Sequence, residues 1–156
     1  MAKRKRSEHY VNNKEFLAAL VKLREDREIA EIRGLPKPPI PRYIGECFLK
    51  IANHLSFKPN FVNYMVKEDM ISDGIENCVQ YIHNFDPDKS KNPFAYFTQI
   101  IHYAFLRRIQ REKRQLEIKN KILERSGYDE VFYGDDGGDA ADYNQIKDAV
   151  HSKLRY

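Results

Sequence analysis

Residues 92–114, NPFAYFTQIIHYAFLRRIQREKR, carry five aromatic rings, Phe94, Tyr96, Phe97, Tyr103 and Phe105, and then five cations, Arg107, Arg108, Arg111, Lys113 and Arg114. Rings offer stacking platforms to unpaired bases, and Lys and Arg pair with backbone phosphates. On a helical wheel the stretch divides. Phe94, Phe97, Ile101, Ala104, Phe105 and Ile109 make an inner apolar face, whereas Tyr96, Gln99, His102, Tyr103 and Arg107 lie off that stripe. The second face joins rings, hydrogen-bonding side chains and charge, as a strand-binding surface would. A core helix with a solvated outer face gives the same pattern, and the spacing alone leaves both readings open.

No other residues are arranged for bond chemistry. There is no phosphate loop, nucleophile elbow or HExxH motif. The five histidines, His9, His54, His83, His102 and His151, are scattered. Cys47 and Cys78 have no His or Cys at metal-ligand spacing and read as buried, reduced thiols. In the run YDEVFYGDDGGDAAD, Asp135, Asp136, Asp139 and Asp142 do not alternate as calcium ligands do, and no Glu closes the loop. The run reads as an acidic linker. A binding protein without catalytic residues, cofactor or metal is expected.

The bulk composition agrees. The chain has 156 residues, 42% hydrophobic, with a net charge of +4, a pI near 9.0 and a mean hydropathy of −0.70. That suits one compact domain with polar tails and a polyanionic partner. No apolar run reaches the ~20 residues that span a bilayer, and the basic start MAKRKRSEHY has no apolar stretch behind it. A cytoplasmic protein without membrane association is expected.

The elements that must position these residues are helical throughout. A basic arm, residues 1–10, precedes a first helix capped by Asn12 or Asn13, with Phe16, Leu17, Leu20, Val21 and Leu23 as its stripe and Gly34 as its stop. Four prolines between residues 35 and 41 make an extended linker. A second helix is predicted from about Tyr43 to Leu55, on Ile44, Cys47, Phe48, Ile51 and Leu55. A third spans roughly residues 67–84, with Ile71, Ile75, Cys78, Val79 and Ile82 as the apolar stripe and Asp69, Asp73, Glu76, Asn77 and Gln80 opposite. Gly74 within it costs about 1 kcal/mol relative to Ala, which implies a close packing contact. After a loop at 85–92, Asn92 and Pro93 start the fourth helix, which ends between Arg114 and Arg125, with Gly127 as a stop. A short final helix is predicted over 142–154. The division is therefore 1–41 (arm, helix and linker), 42–126 (central domain) and 127–156 (acidic linker and helical tail).

The run from Asp69 to Ile109 resembles the core of bacterial sigma factors of the primary-sigma family. Their pattern of acid, two apolars, polar residue, acid and glycine is here Asp69, Met70, Ile71, Ser72, Asp73 and Gly74. Phe85-Asp86 matches the pair ahead of a basic loop, Tyr96-Phe97-Thr98 matches the Tyr-x-Thr motif, and Arg107 ends the pattern. More narrowly, YVNNKEF at 10–16, DGIE at 73–76, HNFD at 83–86 and KNP at 91–93 resemble the short late-transcription sigma factors of T-even-type phages.

The resemblance implies an all-α fold with a sigma region-2-like helical domain, a flexible N-terminal arm and a C-terminal tail. It implies that Asp69, Asp73, Glu76, Asn77 and Gln80 bind the clamp helices of the largest subunit of core RNA polymerase. It implies that Tyr96 receives a flipped base of the −10 promoter element. Gln99 lies in the same recognition helix. His102, Tyr103 and Arg107 face the element's upstream edge, Arg108, Arg111, Lys113 and Arg114 hold phosphates, and Lys89 and Lys91 skirt the single strand. Primary sigma factors carry two tryptophans after Tyr-x-Thr, where this chain has Gln99 and Ile100 and no Trp anywhere. Strand opening is then expected to lean on Tyr96 and Tyr103, on an A/T-rich sequence, or on a helper. No helix-turn-helix for the −35 element is expected after Gly127.

The phage resemblance adds a late co-activator and the DNA sliding clamp as partners, with Tyr143, Ile146, Val150, Leu154 and Tyr156 as a clamp-binding tail and an infected bacterial cytoplasm as the setting. The alternative is an RNA polymerase-binding adaptor or inhibitor that does not contact DNA.

Overall fold

The computed structural model describes residues 9–125. Among them are four α-helices, α1 (Asn13–Ile32), α2 (Arg42–Ser56), α3 (Lys67–Tyr81) and α4 (Pro93–Arg125), one short 3-10 turn (Ile82–Asn84), and no strand. The domain is all-α, as expected. Gly127, the acidic run and the predicted tail helix lie outside the described residues, as does most of the basic arm.

Local sequence sets the helix ends. The Asn12 side chain accepts hydrogen bonds from the backbone N–H groups of Lys14 and Glu15 and so starts α1. At the other end Gly34 takes φ 64°, in the left-handed region, and the N–H of Leu35 reaches back to the carbonyl of Ala30 at 2.8 Å. That is the Schellman closure, which glycine adopts without steric cost. The proline-rich segment then runs along α1, where Arg27 Nε donates to the Pro38 carbonyl at 3.3 Å.

One core joins all four helices: Phe16, Leu20 and Leu23 from α1, Ile44, Phe48 and Ile51 from α2, Met70 and Cys78 from α3, and Phe97, Ile101 and Phe105 from α4. The helix assigned to a separate N-terminal unit thus packs into the same core as the central domain. The predicted stripes of α1, α2 and α4 match the buried faces at most positions. Phe94 is an exception. It lies at the edge of the core, half-buried, with its ring against His9 and Tyr10.

The stripe predicted for α3 is rotated by about one residue. The buried residues are Met70, Gly74 and Cys78, while Ile71 and Ile75 are half-buried and Val79 is exposed. Gly74 decides this. A Cβ there would sit 3.0 Å from Ile101 Cγ2 and 3.2 Å from Phe105 Cε1, so only glycine lets α3 approach α4 this closely without repacking. Pulling that side of α3 inward also carries Asp73 toward α4.

Candidate functional site

The start of α4 is tied to the start of α1. Asn92 Oδ1 accepts from the N–H of Ala95 at 3.1 Å, the capping bond expected of it. The same oxygen accepts from Asn13 Nδ2 at 3.0 Å, and Asn13 Oδ1 accepts from the N–H of Phe94 at 3.2 Å. Two asparagines far apart in sequence thereby satisfy the first turn of α4, which would otherwise hold unpaired donors. Beside this joint lies a hollow lined by His9, Val11, Asn12, Asn13, Asn92 and Phe94, of about 460 Å³. One of the lining residues, His9, belongs to a stack of rings. Tyr10 lies flat on His54 at 3.7 Å between centroids and on His9 at 4.6 Å. Sequence reasoning missed this group, because residues 10, 54 and 94 share no local pattern and meet only through the fold.

Along α4 the outer face is a ladder. Tyr96, Gln99, Tyr103, Arg107 and Arg114 follow one another at helical spacing. Gln99, Arg107 and Arg114 are exposed, as is Tyr103 at 51%. Tyr96 is half-buried, its ring 5.2 Å from that of Phe85 and 5.1 Å from that of Phe97. Burial raises its phenol pKa, so Tyr96 is a neutral, braced ring rather than a free one. His102 sits on one shoulder, edge-on to Phe61 at 5.5 Å and to Tyr103 at 5.8 Å, with half-buried Lys113 further along the same side. In the loop before α4, Lys89 and Lys91 are exposed, and Lys89 lies 3.9 Å from Asp86.

On α3, Asp69, Glu76 and Gln80 are exposed and Asn77 is half-buried, forming one polar strip. Asp73 belongs to that strip by spacing but is engaged elsewhere. Arg108 Nε donates to Asp73 Oδ2 at 2.6 Å, and Arg108 Nη2 to Asp73 Oδ1 at 2.8 Å. Glu112 lies 3.5 Å from Arg108 Nη1. Arg108, only 18% exposed, has its guanidinium pKa raised chiefly by the Asp73 hydrogen bonds. The pair changes how two of the expected site residues are presented. Arg108 is not presented to solvent beside the other cations of its run, and Asp73 is not simply part of an open acidic face. The physical reason is position: residue 108 follows Ile101 and Ala104 on the inner stripe of α4, which faces α3 here. Arg107 and Arg111 stay exposed and share a shallow groove with Asp73, Glu76, Asn77 and Arg108.

The predicted tail residues, Tyr143, Ile146, Val150, Leu154 and Tyr156, lie outside the described residues. No helix among the described residues is long and apolar enough to cross a membrane, and no group of three or more His, Cys, Asp or Glu there is arranged to hold a metal ion.

Residues 47–115 match the family model of Sigma-70 region 2. The match runs from the middle of α2 through α3 and the inner two-thirds of α4, and encloses the run from Asp69 to Ile109. No curated protein matches the chain. The match supports a sigma-factor-like family for this segment; Sigma-70 region 2 is an all-helical module that in general binds RNA polymerase and recognises the −10 promoter element.

Proposed function

We propose that this chain is a sigma factor that directs core RNA polymerase to the −10 element of phage late promoters and helps to open the DNA there. The single observation that carries the reading is that the matched domain presents two chemically different faces, which adjoin at the groove around Asp73 and Arg108. A polar, acidic strip on α3 and a ring-and-cation ladder on α4 point to different partners.

On α3, Asp69, Glu76, Asn77 and Gln80 present carboxylates and amides to the polymerase, a complement for a basic coiled-coil surface. On α4, Tyr96 and Tyr103 take the faces of unstacked bases. Gln99 and His102 hydrogen-bond, and Arg107, Arg111, Lys113 and Arg114 meet phosphates, with Lys89 and Lys91 along the strand. The hollow beside Asn92 and Phe94, with its rings and amides, suits a further unpaired base. Unstacking costs a few kcal/mol per step, and braced rings offset part of that without tryptophan. The phage late setting, with a co-activator and a sliding clamp engaged by the tail, is supported by the resemblance of the segments between residues 10 and 93 to the late sigma factors of T-even-type phages.

The test is co-elution with core RNA polymerase. The wild-type chain should bind, and the charge reversals Asp69→Arg and Glu76→Arg, on exposed positions, should abolish binding without unfolding the protein. A chain that binds core polymerase but never directs initiation, even with the late co-activator, would support the adaptor reading instead.

A further inference from the structure

The Asp73–Arg108 pair joins the two proposed interfaces. Its carboxylate sits in the acidic strip of α3, and its guanidinium sits in the cationic run of α4. The bidentate geometry and partial burial make this a stronger contact than a surface ion pair. With Glu112 3.5 Å from Nη1, each guanidinium nitrogen of Arg108 faces a carboxylate. Its neighbours in sequence and across one helical turn, Arg107 and Arg111, are exposed in the same groove. One cation of three is thus withheld, and the group that withholds it lies where the polymerase is proposed to dock.

We propose that the Asp73–Arg108 pair is a latch that holds Arg108 off DNA in the free chain and opens when a cationic polymerase surface takes Asp73. This rests on the reading of α3 as the polymerase face and α4 as the DNA face. A partner cation at Asp73 competes with Arg108 for the same two oxygens. The released guanidinium, on its flexible stem, joins Arg107 and Arg111 at a phosphate. The coupling is reciprocal: a phosphate that claims Arg108 frees Asp73 for the polymerase, so each partner strengthens the other.

The probe is a labelled A/T-rich −10 oligonucleotide with an unpaired non-template strand, titrated over a range of salt with the free chain and with the polymerase complex. Free D73N should bind about tenfold more tightly than wild type, with a log–log salt slope steeper by about 0.7 for one added single-strand phosphate contact. R108Q should change free wild-type affinity by less than about twofold, remove the gain of D73N, and weaken the polymerase complex by about tenfold. E112Q loosens the latch from an outer position and should give a smaller gain of the same sign, which guards against misfolding of D73N. Free D73N and E112Q that match wild type in affinity and slope, in a system where the polymerase complex does bind the probe, would overturn the latch alone. A wild-type chain that binds neither polymerase nor, with it, the probe would overturn the underlying reading and the latch with it.

Discussion

Asn13, the first residue of α1, holds the first turn of α4: its side chain donates to Asn92 at 3.0 Å and accepts from the N–H of Phe94 at 3.2 Å. This joint fixes where the ladder of α4 begins relative to the N-terminal segment and its stacked rings. Asn13→Ala removes both bonds and should destabilise the fold by about 1–2 kcal/mol, as loss of a helix cap does. Denaturant titration should show the lower midpoint, and Asn92→Ala should show a similar one. The double variant should fall short of the sum, because the two side chains share a bond.

Gly74 should tolerate no branched side chain. Its Cβ direction runs into Ile101 and Phe105, both fully buried. Gly74→Val should lower stability by about 2 kcal/mol or more through overpacking, against a helix-propensity gain of well under 1 kcal/mol. Thermal unfolding checks this. A variant as stable as wild type would mean that the α3–α4 contact is looser than described.

Much of this was legible in the sequence, and what was not has physical reasons. Helical spacing and the cap residues Asn12 and Asn92 placed α1, α2 and the start of α4 nearly to the residue, because apolar periodicity is a local property, whereas the end of α4 was bounded only to between Arg114 and Arg125. On α3, hydropathy favoured Ile71 and Ile75 over Gly74. Closeness of approach to α4, which hydropathy does not encode, decided otherwise. Arg108 stood in a run of cations and was grouped with them, yet its spacing from Ile101 and Ala104 already put it on the inner stripe. The His9–Tyr10–His54–Phe94 cluster left no local signature at all.

The two thiols should be inert. Burial pushes the Cys78 thiol up to about 12 and also raises that of Cys47. At pH 8 the thiolate of Cys78 is on the order of one in ten thousand, so aromatic disulfide reagents should react far more slowly than with a free cysteine. Both thiols should react at the ordinary rate once denaturant unfolds the chain. Rapid reaction of the native protein would contradict the packing described here.

Acid should weaken the tie between the loop before α4 and α1. The Asp86 carboxyl accepts from the Asp88 N–H at 3.0 Å and from Arg24 at 3.2 Å. The Asp88 hydrogen bond leads in holding its pKa below the usual value. A depressed carboxylate contributes stability that is complete above the ordinary aspartate range and is lost as pH falls through the depressed value. Asp86→Asn should therefore lower the melting temperature near neutrality, and the gap from wild type should close as the buffer is taken below the ordinary aspartate range. A gap that widens with acid would reverse the assignment.

The central claim is that the outer rings of α4 open promoter DNA within a polymerase complex. The most direct measurement combines core RNA polymerase and this protein on supercoiled DNA bearing an A/T-rich −10 element, scoring start sites and permanganate-reactive thymines. Wild type should give one defined start and a reactive bubble. Tyr96→Ala should lose the bubble by at least about tenfold, and Tyr96→Phe, which keeps the ring against Phe85 and Phe97, should retain it. Accurate starts and an intact bubble with Tyr96→Ala would contradict the account.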